Sequence, residues 1–395
     1  MKPHVHFFGG EGIGWALDED LDRAREAVAG AVHAGSFAWS PIIHSAWWPP
    51  LLRAGRDALA GKSVICFADN PPAFYLTRPA FEQEASRVDL WIARSSEAFL
   101  QFQELGLQVT LAPYTVDPAT FHPLASEERQ KIRGSLGIRD GDWVVGNFHR
   151  DSLERDLNKP KVQKGPDVFV EIVSEARKLH PSLKVLLAGP RRHWLRRELE
   201  RRGIPYCFSG CVSEADDFSV NVLPRDELNR LYAALDCVLI SSRWEGGPYS
   251  VLEALFAGRP VISSRVGMAA DLLDNWLYST PVEGAELLAH AASIRPDFSL
   301  LRERALRSHS ATILRNALLK AYSGFPQEME SPFRAGRAFL LGGLSRMHKI
   351  FRKSHGSHRR VAEIMKNVRA KTPGSESVSR MAVEIAEAEA SVQTS

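Results

Sequence analysis

Short, wholly apolar runs that each give way to a glycine- or serine-containing loop and then to a helix-like segment recur along this chain, and they limit what it can fold into. Cys237-Val-Leu-Ile240 is the clearest. It runs into Ser241-Ser-Arg-Trp-Glu-Gly-Gly-Pro248, then into a helical stretch that stops at Gly258, and then into a second apolar run, Pro260-Val-Ile262. A strand that is apolar on every residue is buried on both faces, and strands alternating with helices build a parallel sheet with helices on either side.

The same alternation starts at the N-terminus. Val5-His-Phe-Phe8 reads as a strand, Gly9 to Gly14 as a loop, and about Asp18 to His33 as a helix with acidic residues in its first turn. Ser63 to Ala68, Val88 to Ala93 and Val109 to Ala112 continue the strands. A serine cap, a helix from Glu97 to Leu105 and a stop at Gly106 lie between the last two. A polar, helix-prone segment from about Leu124 to Arg139 reads as a connection, after which Asp142 to Gly146 and Lys184 to Gly189 restart the pattern. The charged segment Arg150 to Gln163 reads as a loop, and Val168, Phe169, Ile172, Val173, Ala176 and Leu179 fall on one face of the helix that follows Lys164. A long helical pattern covers Ser299 to Tyr322. The expected fold class is α/β, with two Rossmann-like domains at 1–123 and 124–325, the final helix of the second being able to cross back to the first. Residues 326–395 are expected to form a basic amphipathic extension and then, from about Thr372, a disordered tail.

A chain of 395 residues is long enough for two full cores. A net charge of +3 gives no global field suited to nucleic acid, so no nucleic-acid partner is expected. Cys66 and Cys237 sit in apolar runs, and Cys207 and Cys211 lack a second pair at zinc-site spacing, so the cysteines read as reduced and cytoplasmic. No run approaches the roughly 18 apolar residues of a membrane span, and the N-terminal apolar run is too short for a secretory signal. The basic stretch 333–360, with Phe333, Leu340, Leu344, Met347 and Phe351 at helical spacing, suits either peripheral contact with an anionic inner membrane face or packing on the protein's own surface.

The first glycine loop does not fit a dinucleotide fingerprint, because Trp15 stands where the third glycine counted from Gly10 belongs. Gly10 and Gly12 can let the backbone approach a ligand; a tight turn with no ligand explains them equally. In the second half, Ser250-Val-Leu-Glu253 has the letters of a capping box, which accounts for Glu253 without any ligand. Capping does not account for Glu245 in its Gly-Gly-Pro loop. A glycine loop leading to a helix N-terminus is a place where backbone N–H groups meet an anion.

Glu245 and Glu253, seven residues apart and followed by Ala-x-x-Gly-x-Pro-Val, resemble the E-x7-E motif of retaining glycosyltransferases of the GT-B fold, family four. Gly146-Asn-Phe-His-Arg150 and Lys164-Gly165 resemble the family's diphosphate-facing arginine and lysine, and Val185 to Pro190 its strand and glycine turn near the nucleotide base. Segments Asp89 to Ser95 and Pro113 to Pro123 are similar to those that finish the first domain. The resemblance implies two facing domains and a nucleotide diphosphate sugar as donor substrate, with no other cofactor and no metal. Arg150 and Lys164 would meet the developing diphosphate charge, aided by Ser250 and Val251 N–H groups and the Gly246-Gly247 loop; Gly189 and Pro190 would lie by the nucleotide. Glu253 would hold the ribose and Glu245 the donor sugar. A glycan or lipid-linked molecule would be the acceptor.

The chain departs from the family where a histidine usually follows a mid-domain strand. Asp69 or His44 is the candidate to replace it. Most of the arginines between Arg191 and Arg202 read as a solvated face, with Arg191 or Arg192 able to reach the donor. Asp18-Glu-Asp20 has the letters of a metal-binding D-x-D, although its place at a helix start explains it through the dipole. A nucleotide-sugar epimerase on the same scaffold and a non-catalytic nucleotide-sugar-binding protein are the remaining alternatives.

Overall fold

The structure, a computed structural model, describes residues 2–12, 14, 16–54, 56–81, 85–327 and 376–393. The basic stretch 333–360, with its expected membrane contact, lies outside the described residues. The chain divides into two compact units, one of Met1–Tyr114 with Ala311–Ala386 and one of Thr115–Ser310 with Glu387–Ser395.

The first unit holds strands β1 (His4–Phe8), β2 (His33–Ala34), β3 (Ile42–Ser45), β4 (Ser63–Phe67), β5 (Leu90–Ala93) and β6 (Val109–Leu111) in the order β2-β1-β3-β4-β5-β6. Every pairing is parallel. Val64, Ile65, Cys66 and Phe67 are all buried, as a strand covered on both faces requires. The helix expected over Asp18 to His33 spans only Ala16–Ala27, and the chain then turns through Gly30 at a φ of 72° so that His33 can start β2. Asp20 of that helix makes a buried ion pair with Arg94 at the end of β5. The Arg94 guanidinium also lies 4.3 Å from the Phe67 ring and 4.2 Å from the Tyr114 ring, which shields the pair from water.

The second unit holds β7 (Trp143–Asn147), β8 (Leu183–Ala188), β9 (Tyr206–Ser209), β10 (Cys237–Ile240), β11 (Val261–Ser264) and β12 (Leu277–Tyr278) in the order β12-β11-β10-β7-β8-β9, again all parallel. Helix Pro166–Leu179 begins with proline in its first turn and ends on Arg177 and Lys178, so φ preference and dipole agree with its direction. It buries Phe169, Ile172, Val173 and Ala176 on the sheet; Leu179, expected on the same face, is 67% exposed at the helix end.

The helical pattern over Ser299 to Tyr322 is two helices, Ser299–Ser308 in the second unit and Ala311–Ser323 in the first. The latter packs Leu314, Leu318 and Tyr322 into the core of the first unit beside Val5, Phe7 and Phe67. The segment from Thr372, expected to be disordered, contains a helix at Glu376–Gln393. Val378 and Ile385 form a buried stripe on it, and Gln101 Nε2 lies 3.3 Å from Met381 Sδ. Small, polar composition hid an i, i+3, i+7 apolar pattern.

His44 on β3 is sealed between Phe7 and Phe67 and shares a 2.6 Å hydrogen bond through Nδ1 with the Tyr322 hydroxyl. Burial, and then the nearby Arg94 charge, holds this imidazole down at about 3. The folded chain keeps His44 neutral while the unfolded chain protonates it near pH 6.5, so its contribution to stability is full above that pH and is lost as pH falls toward 3. Asp69, pushed up to about 6 chiefly by burial, acts with the opposite sign, so the His44 effect is isolated by comparison with a variant. Between pH 7.5 and 5 the protein is expected to lose about 2 kcal/mol of unfolding free energy more than His44→Gln does. Urea unfolding at both pH values measures this; equal losses would show that His44 titrates in the fold.

Candidate active site

In the second unit the strand order reverses between β7 and β10, and the crevice beyond the carboxyl ends of strands at such a point is where open α/β sheets bind ligands. Three segments leave the sheet there: Asn147–Arg150 after β7, Ser241–Pro248 after β10, and helix Tyr249–Phe256. The pairing that creates the crevice needs a glycine. A Cβ on Gly146 would lie 2.3 Å from Leu235 Cδ1.

Lys164 is delivered by backbone geometry. Gly165 follows it at a φ of 56°, and a Cβ there would lie 2.0 Å from the Ser241 carbonyl oxygen. Ser241 Oγ donates to Lys164 O (3.0 Å), Arg243 N to Gln163 O (2.8 Å), and the Arg243 guanidinium makes two bonds to Asp167 (2.8 and 2.5 Å). These contacts pin the short 3-10 turn Val162–Lys164 against the loop after β10. In consequence the Lys164 ammonium pairs with the Glu245 carboxylate, whose Oε1 also accepts a 2.9 Å hydrogen bond from Ser242 Oγ. Gly246 and Gly247, which follow Glu245, are buried. Gly267 backs the loop closely, since a Cβ on it would lie 2.4 Å from Gly246 O.

Glu253 is not the second half of a capping box. Helix Tyr249–Phe256 begins after Pro248, and no side chain caps it. The buried Glu253 carboxylate accepts from Arg225 NH1 (2.7 Å) and from the Tyr232 hydroxyl (2.8 Å), while Ser250 Oγ shares a 2.6 Å hydrogen bond with His149 Nε2. The Val251 N–H, expected to face an anion, donates to Pro248 O (3.0 Å). A capping box does occur at Thr280 and Glu283. Burial, followed by the charges of Lys164, Arg192 and Lys161, holds the His149 imidazole well below its ordinary value, so it is neutral.

Arg191 and Arg192 are not part of a solvated face. Both are buried just ahead of helix His193–Arg201. Arg191 follows Gly189 and Pro190 with a φ of 57°. It bonds Asp216 (3.0 and 2.8 Å) and Glu154 (3.1 Å), and its N–H donates to Asp217 (2.7 Å). Arg192 donates to Asn147 O (2.7 Å) and pairs with Asp151 at 3.3 Å. Gly189, at a φ of 85°, makes the turn that lets this happen. Arg150 is half-buried and lies within electrostatic reach of Lys161, as do Lys164 and Glu245.

The remaining candidates belong to the first unit. Gly10 and Gly12 lie in the loop after β1, and Asp18 closes that loop on itself: its carboxylate accepts from Gly12 N (3.0 Å) and Gly14 N (2.9 Å). A Cβ on Gly10 would lie 2.6 Å from Asp18 Oδ1, so a side chain there would displace the Asp18 carboxylate. Asp18 and Asp20 are thereby engaged separately, one with the loop and one with Arg94. A cavity of about 450 Å³ lies beside the same loop, lined by Phe8, Gly9, Gly10, Phe37, Pro50 and Arg53. Asp69 lies two residues after β4, bonded by the Tyr75 hydroxyl (2.6 Å) and Asn70 Nδ2 (2.7 Å). His44 faces the core and reaches no surface.

Sequence reasoning did not find Ser242, His149, Arg225 or Tyr232. His149 and Ser242 lie inside segments already singled out. Arg225 and Tyr232 had no local signal, since each meets Glu253 only through tertiary packing.

Residues 157–293 match the model of the family described as glycosyl transferases group 1. In the solved structures, Anabaena HepE in complex with UDP and glucose is similar at a TM-score of 0.63 and 15% identity, over 82% of this chain and 100% of that one. Sucrose-phosphate synthase from Thermosynechococcus elongatus is similar at a TM-score of 0.54 and 16% identity, over 72% and 73%. The fold is GT-B, and the second unit carries the match to the group 1 model. Among curated proteins, D-inositol 3-phosphate glycosyltransferases from Segniliparus rotundus and Mycobacterium marinum are each 24% identical to this chain, over 48% and 77% of it. The chain spans 41% and 63% of the length of those two relatives. Among the described residues of this GT-B chain, no group of three or more His, Cys, Asp or Glu side chains is placed to hold a metal ion, and no helix is long and apolar enough to cross a membrane.

Gly165→Ala combines a strained φ with a backbone clash, so it is expected to cost about 2 kcal/mol or more and to displace Lys164. Urea unfolding of the variant reads the cost; a loss under about 0.5 kcal/mol would mean that the turn relaxes freely.

Proposed function

We propose that this protein transfers a sugar, with retention of anomeric configuration, from a nucleoside diphosphate sugar to a glycan or lipid-linked acceptor. The observation that carries this is the Lys164–Glu245 ion pair at the switch point, with Arg150 on the loop after β7 and the buried Glu253 on the helix that follows the Glu245 loop. UDP is the nucleotide we assign. Anabaena HepE was solved with UDP and with UDP-glucose, and an Escherichia coli relative of the same fold with UDP-2-fluoro glucose.

When the bond to the anomeric carbon breaks, negative charge grows on the departing diphosphate. Preorganised cations aimed at that charge stabilise the transition state more than the ground state. Lys164 would then be shared between the diphosphate and Glu245, which is itself held by Ser242 and so stays in place beside the sugar. Glu253, held by Arg225 and Tyr232, is the carboxylate we assign to the ribose hydroxyls. The two cations supply the charge that a divalent metal supplies in other transferases, so no metal is assigned. Asp69, two residues after a first-unit strand, is the side chain we assign to the place of the family histidine; no role in transfer is assigned to His44, whose ring is enclosed.

A thermal-shift panel of nucleoside diphosphates tests this. UDP at 100 times its Kd is expected to stabilise the protein by about 2.7 kcal/mol. Lys164→Met and Glu253→Ala should each weaken UDP binding by about tenfold or more. Glu245→Ala should retain UDP and lose transfer. No shift with any nucleoside diphosphate would overturn the assignment, and UDP binding with no turnover over a broad acceptor panel would favour a non-catalytic binding protein.

A further inference from the structure

Asn147, the last residue of β7, is buried, and its side chain ties the loop that follows to the middle of the sheet. Nδ2 donates to Leu239 O on β10 (3.2 Å), while Oδ1 accepts from the His149 N–H (3.1 Å) and from Arg192 NH2 (3.2 Å). His149 is thereby carried to the first turn of helix Tyr249–Phe256, where its Nε2 meets Ser250 Oγ at 2.6 Å. The neighbouring Phe148 ring lies 4.9 Å from that of Tyr232, which bonds Glu253 one turn further along the same helix.

One end of the imidazole is thus engaged and the other is not. Nδ1 is buried, and among the described residues it has no hydrogen-bond partner. A buried nitrogen left in this state costs about 1–3 kcal/mol. The charges that reach the ring are those of Lys164, Arg192 and Lys161, all of them cations and hydrogen-bond donors. Lys164 pairs with Glu245, and Arg192 with Asn147 and Asp151. A lone pair at Nδ1 would face donors able to satisfy it, whereas an N–H there faces only other donors and is answered by an anion. We therefore place the proton of the neutral ring on Nδ1, with Ser250 Oγ donating to Nε2, since the bond at one nitrogen fixes the state of the other.

We propose that His149 binds the donor directly, its Nδ1–H donating to an oxygen of the diphosphate, and that Ser250 is the positioning residue that holds the ring in this tautomer. The inference rests on the donor assignment above. A neutral imidazole adds a hydrogen bond to the diphosphate without adding to the mutual repulsion of the cations around it. No covalent bond changes, and no proton leaves the ring. The His149–Ser250 bond also sets this nitrogen from the helix that bears Glu253, so the group that would meet the diphosphate and the group that would hold the ribose share one support.

Two variants separate the two ends of the ring. His149→Gln carries its amide at the distance of Nε2 and can still reach Ser250, with no polar group in the place of Nδ1. His149→Asn carries its amide near the place of Nδ1 and is too short to reach Ser250. Titration calorimetry of UDP into the full chain is expected to show an affinity within a few-fold of the wild type for His149→Asn. For His149→Gln it should be about tenfold weaker, the loss of a hydrogen bond to a charged group. The reverse ranking, or unchanged affinity in both, would mean that His149 only ties the loop to the helix, and the proposal would be overturned. If both variants weaken or fail to fold, the ring of the wild type decides. Nitrogen-15 NMR of the protein with labelled histidine, the His149 signal being identified by its change in Ser250→Ala, should show a protonated Nδ1 and a bare Nε2 in the UDP complex, with the Nδ1 resonance moved from its place in the free protein. A proton on Nε2, or an Nδ1 resonance that UDP does not move, would overturn the proposal while leaving the donor assignment intact. If the wild type binds no UDP, the donor assignment fails and His149 loses its role with it.

Discussion

The candidate site depends on one contact, the parallel pairing of β7 with β10 through Cys237↔Val145 and Val238↔Gly146. It brings together two strands that are distant in sequence and leaves their outgoing loops side by side. Gly146 makes it possible, because any side chain there would overlap Leu235. Asp236 fixes its register from the other end: one carboxylate oxygen accepts Val144 N (2.7 Å) and Arg133 NH1 (3.0 Å), and the other accepts Arg129 NH2 (2.6 Å). Everything that follows β10, including Glu245 and Glu253, inherits its position from this pairing.

Around that crevice the polar side chains are held by one another. Lys164 is fixed from its backbone by Gly165 and Ser241, and from its ammonium by Glu245; Glu245 is fixed again by Ser242. A buried charge that lost its partner would carry a large desolvation cost, so these groups persist as a set. Groups held in this way need little reorganisation to meet a charge brought among them. The buried arginines after β8 serve differently. Arg191 and Arg192 tie that loop to Asp216, Asp151 and Asn147, and so hold the wall of the crevice.

The first unit shows the same economy of anions. Where its glycine loop presents N–H groups, Asp18 of the chain itself supplies the carboxylate, and Asp20 two residues on neutralises Arg94. Two aspartates that look alike in sequence thereby hold different elements. The helix Ala311–Ser323 joins this unit through Tyr322 and His44, a polar pair within an otherwise apolar core, joined by one short hydrogen bond at His44 Nδ1 while Nε2 is buried without a partner.

The sequence by itself determined the strands, because continuous burial on both faces leaves only apolar residues in runs such as Cys237–Ile240, and it determined which loop carries Glu245, because that glutamate had no local structural use. Lys164 entered only through its resemblance to the family's lysine, and the folded chain is what sets it against Glu245. Local patterns misled where a tertiary partner outcompeted them. Ser250 and Glu253 have the spacing of a cap, yet Arg225 and Tyr232 offer Glu253 a charged and a hydroxyl partner from another helix, and His149 takes Ser250. The burial of Arg191 and Arg192 had no local signal because their acidic partners lie 25 residues or more away in sequence. The segment that carries His149 entered through its resemblance to the family, but Asn147 fixes it by meeting Leu239 and Arg192, which lie 45 residues or more away. Periodicity reports what each residue's neighbours in sequence require of it; which charges meet across a crevice is set by strand order, and only the folded chain decides that.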